Sequence, residues 1–281
     1  MPEQAQLDHA VINVGYDMDK AAQVFSDLGF HLTDRGYHSL GSINHLMMFG
    51  TDYLELIGLP AESKGTPAGR PDIANAPAGL NGLVFKTASA QGNLTILESL
   101  GIAAGPTKSF TRPVALPHGE VDASFTTTHV KGGTFPGGRV YFCEHHTPDV
   151  VWRPEWQRHA NGAEAITDFV IASTTATEEA GKFAALLETE VTTDGETNIL
   201  PLNGATLTIL SPEAYATRFG SLACSLNERP SIFGALQIRT HSLEAVRKVL
   251  RALKTPVQIE DKQSRILVYE PTFDCLFEFT E

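Results

Sequence analysis

Cysteine, positive charge and long apolar runs are all scarce in this chain. Cys143, Cys224 and Cys275 are the only three cysteines in 281 residues. They are widely spaced and form no CxxC pair, which argues against a disulfide framework and against a zinc knuckle. Lysine and arginine number 21 against 33 acidic residues, a formal charge of −12. Such a surface repels polyanions, and no block of basic residues makes a local exception, so nucleic acid is not expected as a partner. No apolar run approaches the ~20 residues of a membrane span, so no membrane partner is expected either. The opening MPEQAQLDHA carries neither the basic nor the apolar region of a secretory signal, and a cytoplasmic location is the expectation. The sequence also lacks a P-loop, a GxGxxG between strand and helix, a GxSxG elbow and an HExxH helix. Phosphate-cradling, serine-elbow and zincin chemistries lose their usual signatures with them.

What is present is a repeated order of elements. Hydrophobic periodicity predicts a strand over 7–14, a helix over 18–28 ended by Gly29, and short strands over 31–37, 43–49 and 53–57. This βαβββ order returns from Gly82, again over 165–210, and a fourth time from Ile232. The fold class expected is α+β, with four βαβββ modules. A Pro/Gly/Ala-rich connector comes after the first module, and Pro154, Asn161 and Gly162 mark a join between modules two and three. The expected division is therefore 1–160 and 161–281.

His9 stands near the start of the first strand. A histidine there can be a packed core residue, a surface residue or a metal ligand, and position alone leaves all three open. Strand alternation puts His9 on one face with Leu7, Val11 and Asn13, and the fully apolar Ala10, Ile12 and Val14 on the other. In DYLELIG, Tyr53, Glu55 and Ile57 share a face. In VYFCEHHTP, Phe142, Glu144 and His146 alternate with Tyr141, Cys143 and His145.

The four-module pattern, opened by LDHAVINV and closed in its first copy by YLELIG, resembles the vicinal oxygen chelate superfamily, and within it the glyoxalase-like domain proteins. The likeness is strongest over 7–60 and over VYFCEHHTPDVVWRPEWQRHANG; modules three and four match mainly in their order of elements. The resemblance implies that modules pair into two open half-barrels, each a curved sheet around a cup. It places His9, Glu144 and His146 as metal donors at the first cup, with His145 as an alternative nitrogen, and Glu55 as the catalytic base. On this reading Glu144→Ala abolishes metal binding and His145→Ala spares it. Asn44, His45, Met47, Phe142, Trp152 and Arg153 are the expected substrate pocket. The donor set is mixed nitrogen and oxygen, suited to Zn, Mn, Fe or Ni. The pattern departs from the metal-binding members in one place: the first strand of module two, NGLVFKT, has no ligand-type residue. Modules three and four offer only Asp168, Gln237 and Glu278 on the corresponding strands, so their expected role is support or a lid.

The implied activity is a metal-dependent lyase, isomerase or dioxygenase acting on a small substrate that chelates the ion through neighbouring oxygens. The alternative is a metal-free protein of the same fold that binds or sequesters a small molecule. Either way the expected partner is a small molecule, and a homodimer is allowed.

Overall fold

The computed structural model describes residues 4–66, 69–117 and 119–281. The first three residues of the amino-terminal segment and residues 67–68 of the connector lie outside this description. The first sheet takes β1 (Leu7–Gly15), β2 (Gly36–Tyr37), β3 (Ile43–Met48), β4 (Tyr53–Gly58), β5 (Gly79–Lys86), β6 (Lys108–Leu116), β7 (Gly119–His129) and β8 (Arg139–His145). The second takes β9 (Ala163–Ser173), β10 (Thr192–Asp194), β11 (Thr197–Leu202), β12 (Ala205–Leu210), β13 (Ser231–Thr240), β14 (Gln258–Asp261), β15 (Ile266–Glu270) and β16 (Cys275–Thr280). Helices α1 (Met18–Asp27), α2 (Pro71–Ala74), α3 (Ala90–Ser99), α4 (Pro148–Val151), α5 (Ala176–Leu187), α6 (Pro212–Phe219) and α7 (Leu243–Ala252) complete the chain.

Strand order is β2-β3-β4-β1-β5-β8-β7-β6 in one sheet and β10-β11-β12-β9-β13-β16-β15-β14 in the other. Each half-sheet is one βαβββ module whose first strand runs parallel to its last, as β1 does to β4 and β5 to β8. The two modules of a sheet join where their first strands pair antiparallel, β1 with β5 and β9 with β13. This is the α+β arrangement of paired half-barrels.

Burial explains why each module keeps its helix. Ala10, Ile12 and Val14 of β1 pack with Ala21 and Phe25 of α1, and this layer is continuous with Phe169 and Ile171 of β9, Phe183 of α5 and Phe277 of β16. Phe25 meets Phe277 edge to face at 6.1 Å, and Phe135 stacks on Phe183 at 3.9 Å. The convex faces of both sheets thus share one apolar core. The chain crosses between sheets through residues 146–162, but the core does not divide there. Polar pins reinforce the junction: Asp52 Oδ1 accepts from the Ile166 amide at 2.9 Å, and His159 Nε2 donates to the Met48 carbonyl at 2.8 Å. Gly137 and Gly138 lie under the Phe233 ring, where a β-carbon on either would collide with it.

Two local expectations change. Of the strand expected over 31–37 only Gly36–Tyr37 pairs, because the preceding backbone is engaged elsewhere: His31 N–H donates to His159 Nδ1, and Thr33 N–H donates to the Leu46 carbonyl. The sequence periodicity also gives no helix where α6 stands. This helix packs Tyr215 and Phe219 onto Val170 and Ala172 of β9 and onto Leu276 of β16. It fills the concave face of the second sheet.

Candidate active site

The concave face of the first sheet encloses a cavity of about 590 Å³, lined by residues from every strand of that sheet except β2 and β5. β1 and β4 are parallel neighbours, with Val11 opposite Glu55, so both present side chains to it. A register shift between Leu7 and His9 inserts Asp8 as an extra residue against β5. This β-bulge moves Leu7 into the convex core and brings the Asp8 carboxylate to the same side as His9.

Asp8 Oδ2 accepts from His9 Nδ1 at 2.7 Å and from His145 Nε2 at 3.0 Å. Burial alone would raise the Asp8 pKa, but the two imidazoles, His145 first, outweigh it and hold this carboxyl well below the usual range. With Nδ1 committed to Asp8, the hydrogen-bond network assigns the His9 Nε2 lone pair to the cavity. There it accepts from the Tyr141 hydroxyl at 3.2 Å and lies 3.6 Å from Glu55 Oε2. Tyr53 stacks on the ring at 4.4 Å and fixes its plane. Glu55 Oε1 accepts from Asn44 Nδ2 at 2.7 Å. Burial pushes both Tyr53 and Tyr141 well above the ordinary phenol pKa, so they stay protonated.

The remaining lining sets the charge of the cavity. Burial, with the nearby Arg112 and Arg70 charges, lowers His38 to about 4, and burial lowers His129 to about 3, so both imidazoles are neutral at pH 7. Four cationic side chains, Arg70, Lys108, Arg112 and Arg139, line the cavity beside two carboxylates, Glu55 and Asp72. The interior is thus cationic inside a protein of charge −12.

Of the residues expected from sequence, the structure brings His9, Glu55 and Asn44 together. It separates the others. The faces of β8 run opposite to expectation: Tyr141 and Cys143 join the cavity side, while Phe142 packs with Phe85 at 5.7 Å in the convex core. No bulge is involved, because β8 runs beside β5 in unbroken register, Val84 against Tyr141 and Phe85 against Phe142. The aromatic residue, rather than the acid, decided the face. Glu144 Oε2 instead accepts from the Ala90 amide at the start of α3, 2.9 Å away, and His146 is 42 % exposed and hydrogen-bonded to Thr126 Oγ1. His45 turns from the cavity and bonds the Thr33 carbonyl, and Met47 lies in the convex core, so Leu46 lines the cavity in its place. Trp152 backs Tyr53 and carries Lys86 Nζ over its ring at 4.2 Å; Arg153 pairs with Glu155 at the surface.

Sequence reasoning missed Asp8, whose orientation depends on the bulge, and Arg112, whose alternation with Phe110 and Val114 on one face of β6 was a readable signal. It also set Tyr141 and Cys143 facing away.

The donors bear on a metal ion in two places. At the first-strand position His9 and Glu55 converge, but β5 adds only Val84 on that side, and the next residue, Tyr141, is a neutral phenol. Two protein donors beside several cations fit a resident ion poorly there. Beneath them Asp8, Cys143 and His145 each offer one ligand atom, all within 4.8 Å of one another. Asp8 Oδ1 is buried with no hydrogen-bond partner among the described residues, which leaves a carboxylate lone pair available. This oxygen, nitrogen and sulfur set can hold a metal ion, with Lys86 Nζ 4.0 Å from the same Asp8 oxygen.

In the second cup, Arg218 of α6 reaches Asp168 Oδ2 at 2.8 Å and Glu278 Oε2 at 2.7 Å, while Arg265 takes Glu278 Oε1 at 2.8 Å. Gln237 accepts from Thr167. The three polar residues noted there are thus engaged by the chain itself.

The profile of the glyoxalase-like domain matches residues 7–187. No curated protein matches the chain. Among solved structures, a Staphylococcus aureus protein described only as hypothetical superposes with TM-score 0.66 at 11% identity, covering 98% of each chain. A mutant of 4-hydroxymandelate synthase from Streptomyces coelicolor superposes with TM-score 0.55 at 13% identity, over 99% of this chain and 92% of that one. A xylose isomerase-like TIM barrel/4-hydroxyphenylpyruvate dioxygenase fusion protein gives 0.60 at 13% identity, with 99% of this chain spanning 49% of the fusion. At such identities the likeness is one of fold. Among the described residues no helix is long and apolar enough to cross a membrane.

Proposed function

The chain belongs to the glyoxalase-like domain family, and from that premise we propose that the first cup is the active site of an enzyme that moves a proton on a small oxygen-bearing substrate. The observation that carries this reading is the convergence of His9 Nε2, Glu55 Oε2 and the Tyr141 hydroxyl on one spot of the cavity. Glu55, with one oxygen held by Asn44, turns its other oxygen inward as the base. His9, fixed by Asp8, takes or returns a proton at Nε2. Tyr141, kept protonated by burial, donates to the oxyanion that develops on the substrate.

Asp8, Cys143 and His145 are the residues that would hold a divalent ion, with Cys143 on the cavity wall, and such an ion would supply Lewis-acid stabilisation to a substrate oxygen. The lyase and isomerase readings share this proton transfer; the dioxygenase reading would in addition need dioxygen and a redox-active ion. A metal-free binding role is the second reading. It is favoured by the hydrogen bonds through which His9 Nδ1 and His145 Nε2 both occupy Asp8 Oδ2, an oxygen that a ligand set would otherwise offer.

The test is exchange of carbon-bound hydrogen in D₂O. Small α-hydroxyketones and 2-oxo acids are monitored by NMR with the native protein and with His9→Gln and Glu55→Gln. Exchange that falls at least ~100-fold in both variants supports proton transfer, since each removes a positioned acid–base group. Rates no different from the variants, for every probe, favour the binding reading. Elemental analysis of untagged protein beside Cys143→Ser separates the metal-dependent from the metal-free form.

A further inference from the structure

Among the three guanidinium groups that line the cavity, two are paired. Arg70 donates through Nε and Nη2 to the two oxygens of Asp72, and Arg139 donates to Asn81 and to the same Asp72. Arg112 is different. It is 3% exposed and no carboxylate of the described residues pairs with it; its Nη2, like that of Arg139, is buried with no acceptor among those residues. Its stem runs over Gly36, where any side chain would collide with Arg112 and with the Asn44 amide oxygen, so β2 is cut away to let it through. A buried cation without a counter-charge is costly, and burial indeed lowers the Arg112 pKa. The chain keeps this charge unspent at the wall of the first cup's cavity.

Around it the wall is aromatic. Phe110 stacks on Phe125 at 5.3 Å, and His129 on Tyr141 at 4.6 Å. About 590 Å³ holds a small organic molecule. Glu55 is the one carboxylate felt by Arg112, and it makes no ion pair with it among the described residues: Asn44 holds its Oε1, and its Oε2 lies 3.6 Å from His9 Nε2.

We propose that the cavity takes a small carboxylate with a flat apolar body, its carboxylate on the Arg112 guanidinium and its body between the Phe110–Phe125 and His129–Tyr141 pairs. A guanidinium presents a rigid fork of donors that matches a carboxylate, and the pairing is strong where water is excluded. The proposal rests on the proposed function only for the direction of the ligand, whose far end faces His9; the anion subsite itself stands on Arg112.

The experiment titrates benzoate, phenylacetate and 2-naphthoate, each beside its primary amide, into wild-type protein, Arg112→Met and His9→Gln. The expected result is that at least one acid binds ten-fold or more tightly than its amide, that Arg112→Met abolishes the preference, and that His9→Gln keeps it. No preference for any acid, or a preference that survives in Arg112→Met, overturns the subsite. Thermal unfolding of ligand-free Arg112→Met is the folding control. A midpoint above wild type or less than ~5 °C below it agrees with an unpartnered charge, and a larger fall shows a structural partner and overturns the proposal. Lost carbon-hydrogen exchange with a retained acid preference defeats the proposed chemistry and leaves the subsite standing.

Discussion

The two sheets carry the same topology and use their concave faces in opposite ways. In the second, α6 lies in the cup, its aromatic residues replace a ligand's apolar body, and Arg218 supplies the cation for Asp168 and Glu278. In the first, the cup is open, Glu55 is held by the Asn44 amide, and Arg112 has no ion-pair partner among the described residues. The filled cup is charge-complete within the chain. The open one is not, and the imbalance marks the side on which something from outside completes it.

The largest effect that would sharpen this contrast is expected at Arg218. Arg218→Met leaves Asp168 with only the Thr206 hydroxyl, while Glu278 keeps Arg265. Loss of one partner from a buried ion group costs about 3–5 kcal/mol, read as a lower urea midpoint at unchanged slope. Arg112→Met should by contrast cost less than about 1 kcal/mol, because no pairing is lost. Equal costs would break the comparison.

Asp52 tests how far the two halves act as one body. Burial raises its pKa to about 6 despite the Ile166 amide and the Thr51 hydroxyl. In the unfolded chain it titrates near ~3.9. Between those values the folded protein holds a proton that the unfolded chain has released, so stability falls as pH rises from about 4 to about 6 and stays lower above. Asp52→Asn, which keeps an acceptor for Ile166, should recover roughly 1–3 kcal/mol at pH 8 and flatten that part of the profile. An unaltered pH profile would separate this contact from the coupling of the sheets.

The smallest effect belongs to Glu144. It sits at the start of α3 and accepts from Ala90, so Glu144→Gln should cost about 0.3–1 kcal/mol through the helix dipole. Metal content should not change, whereas Asp8→Asn should lower it. A loss of metal in Glu144→Gln would restore the face assignment made from the sequence.

The modules were legible because four helices and their flanking strands repeat one hydrophobic rhythm. Glu55 was legible because β4 alternates unbroken around it, and His9 because the alternation from His9 to Val14 holds, although the bulge at Asp8 takes Leu7 off the face expected for it. Glu144 misled: a carboxylate on a last strand suggested a ligand, while the pairing of Phe142 with Phe85 set the face. Asp8 could not be placed, since a bulge leaves no mark in one sequence. α6 left a mark that went unread. Ser211 accepts from the Ala214 amide as a cap, Pro212 opens the helix, Arg218 lies in its last turn and Gly220 comes next with φ +59°.

The two sheets also end differently. Just after β2, the Ser39 amide donates to the Thr111 carbonyl of β6 at 3.0 Å, and the Thr111 amide returns to Ser39 Oγ. The outermost strands of the first sheet therefore cover each other. Among the described residues β10 and β14 make no such bond, and β10 is exposed along its length. Open strand edges invite pairing with another chain, and acidic side chains such as Asp194, Glu260 and Asp261 guard these two. With those charges removed, as in Asp194→Asn combined with Glu260→Gln and Asp261→Asn, self-association should begin at the second sheet.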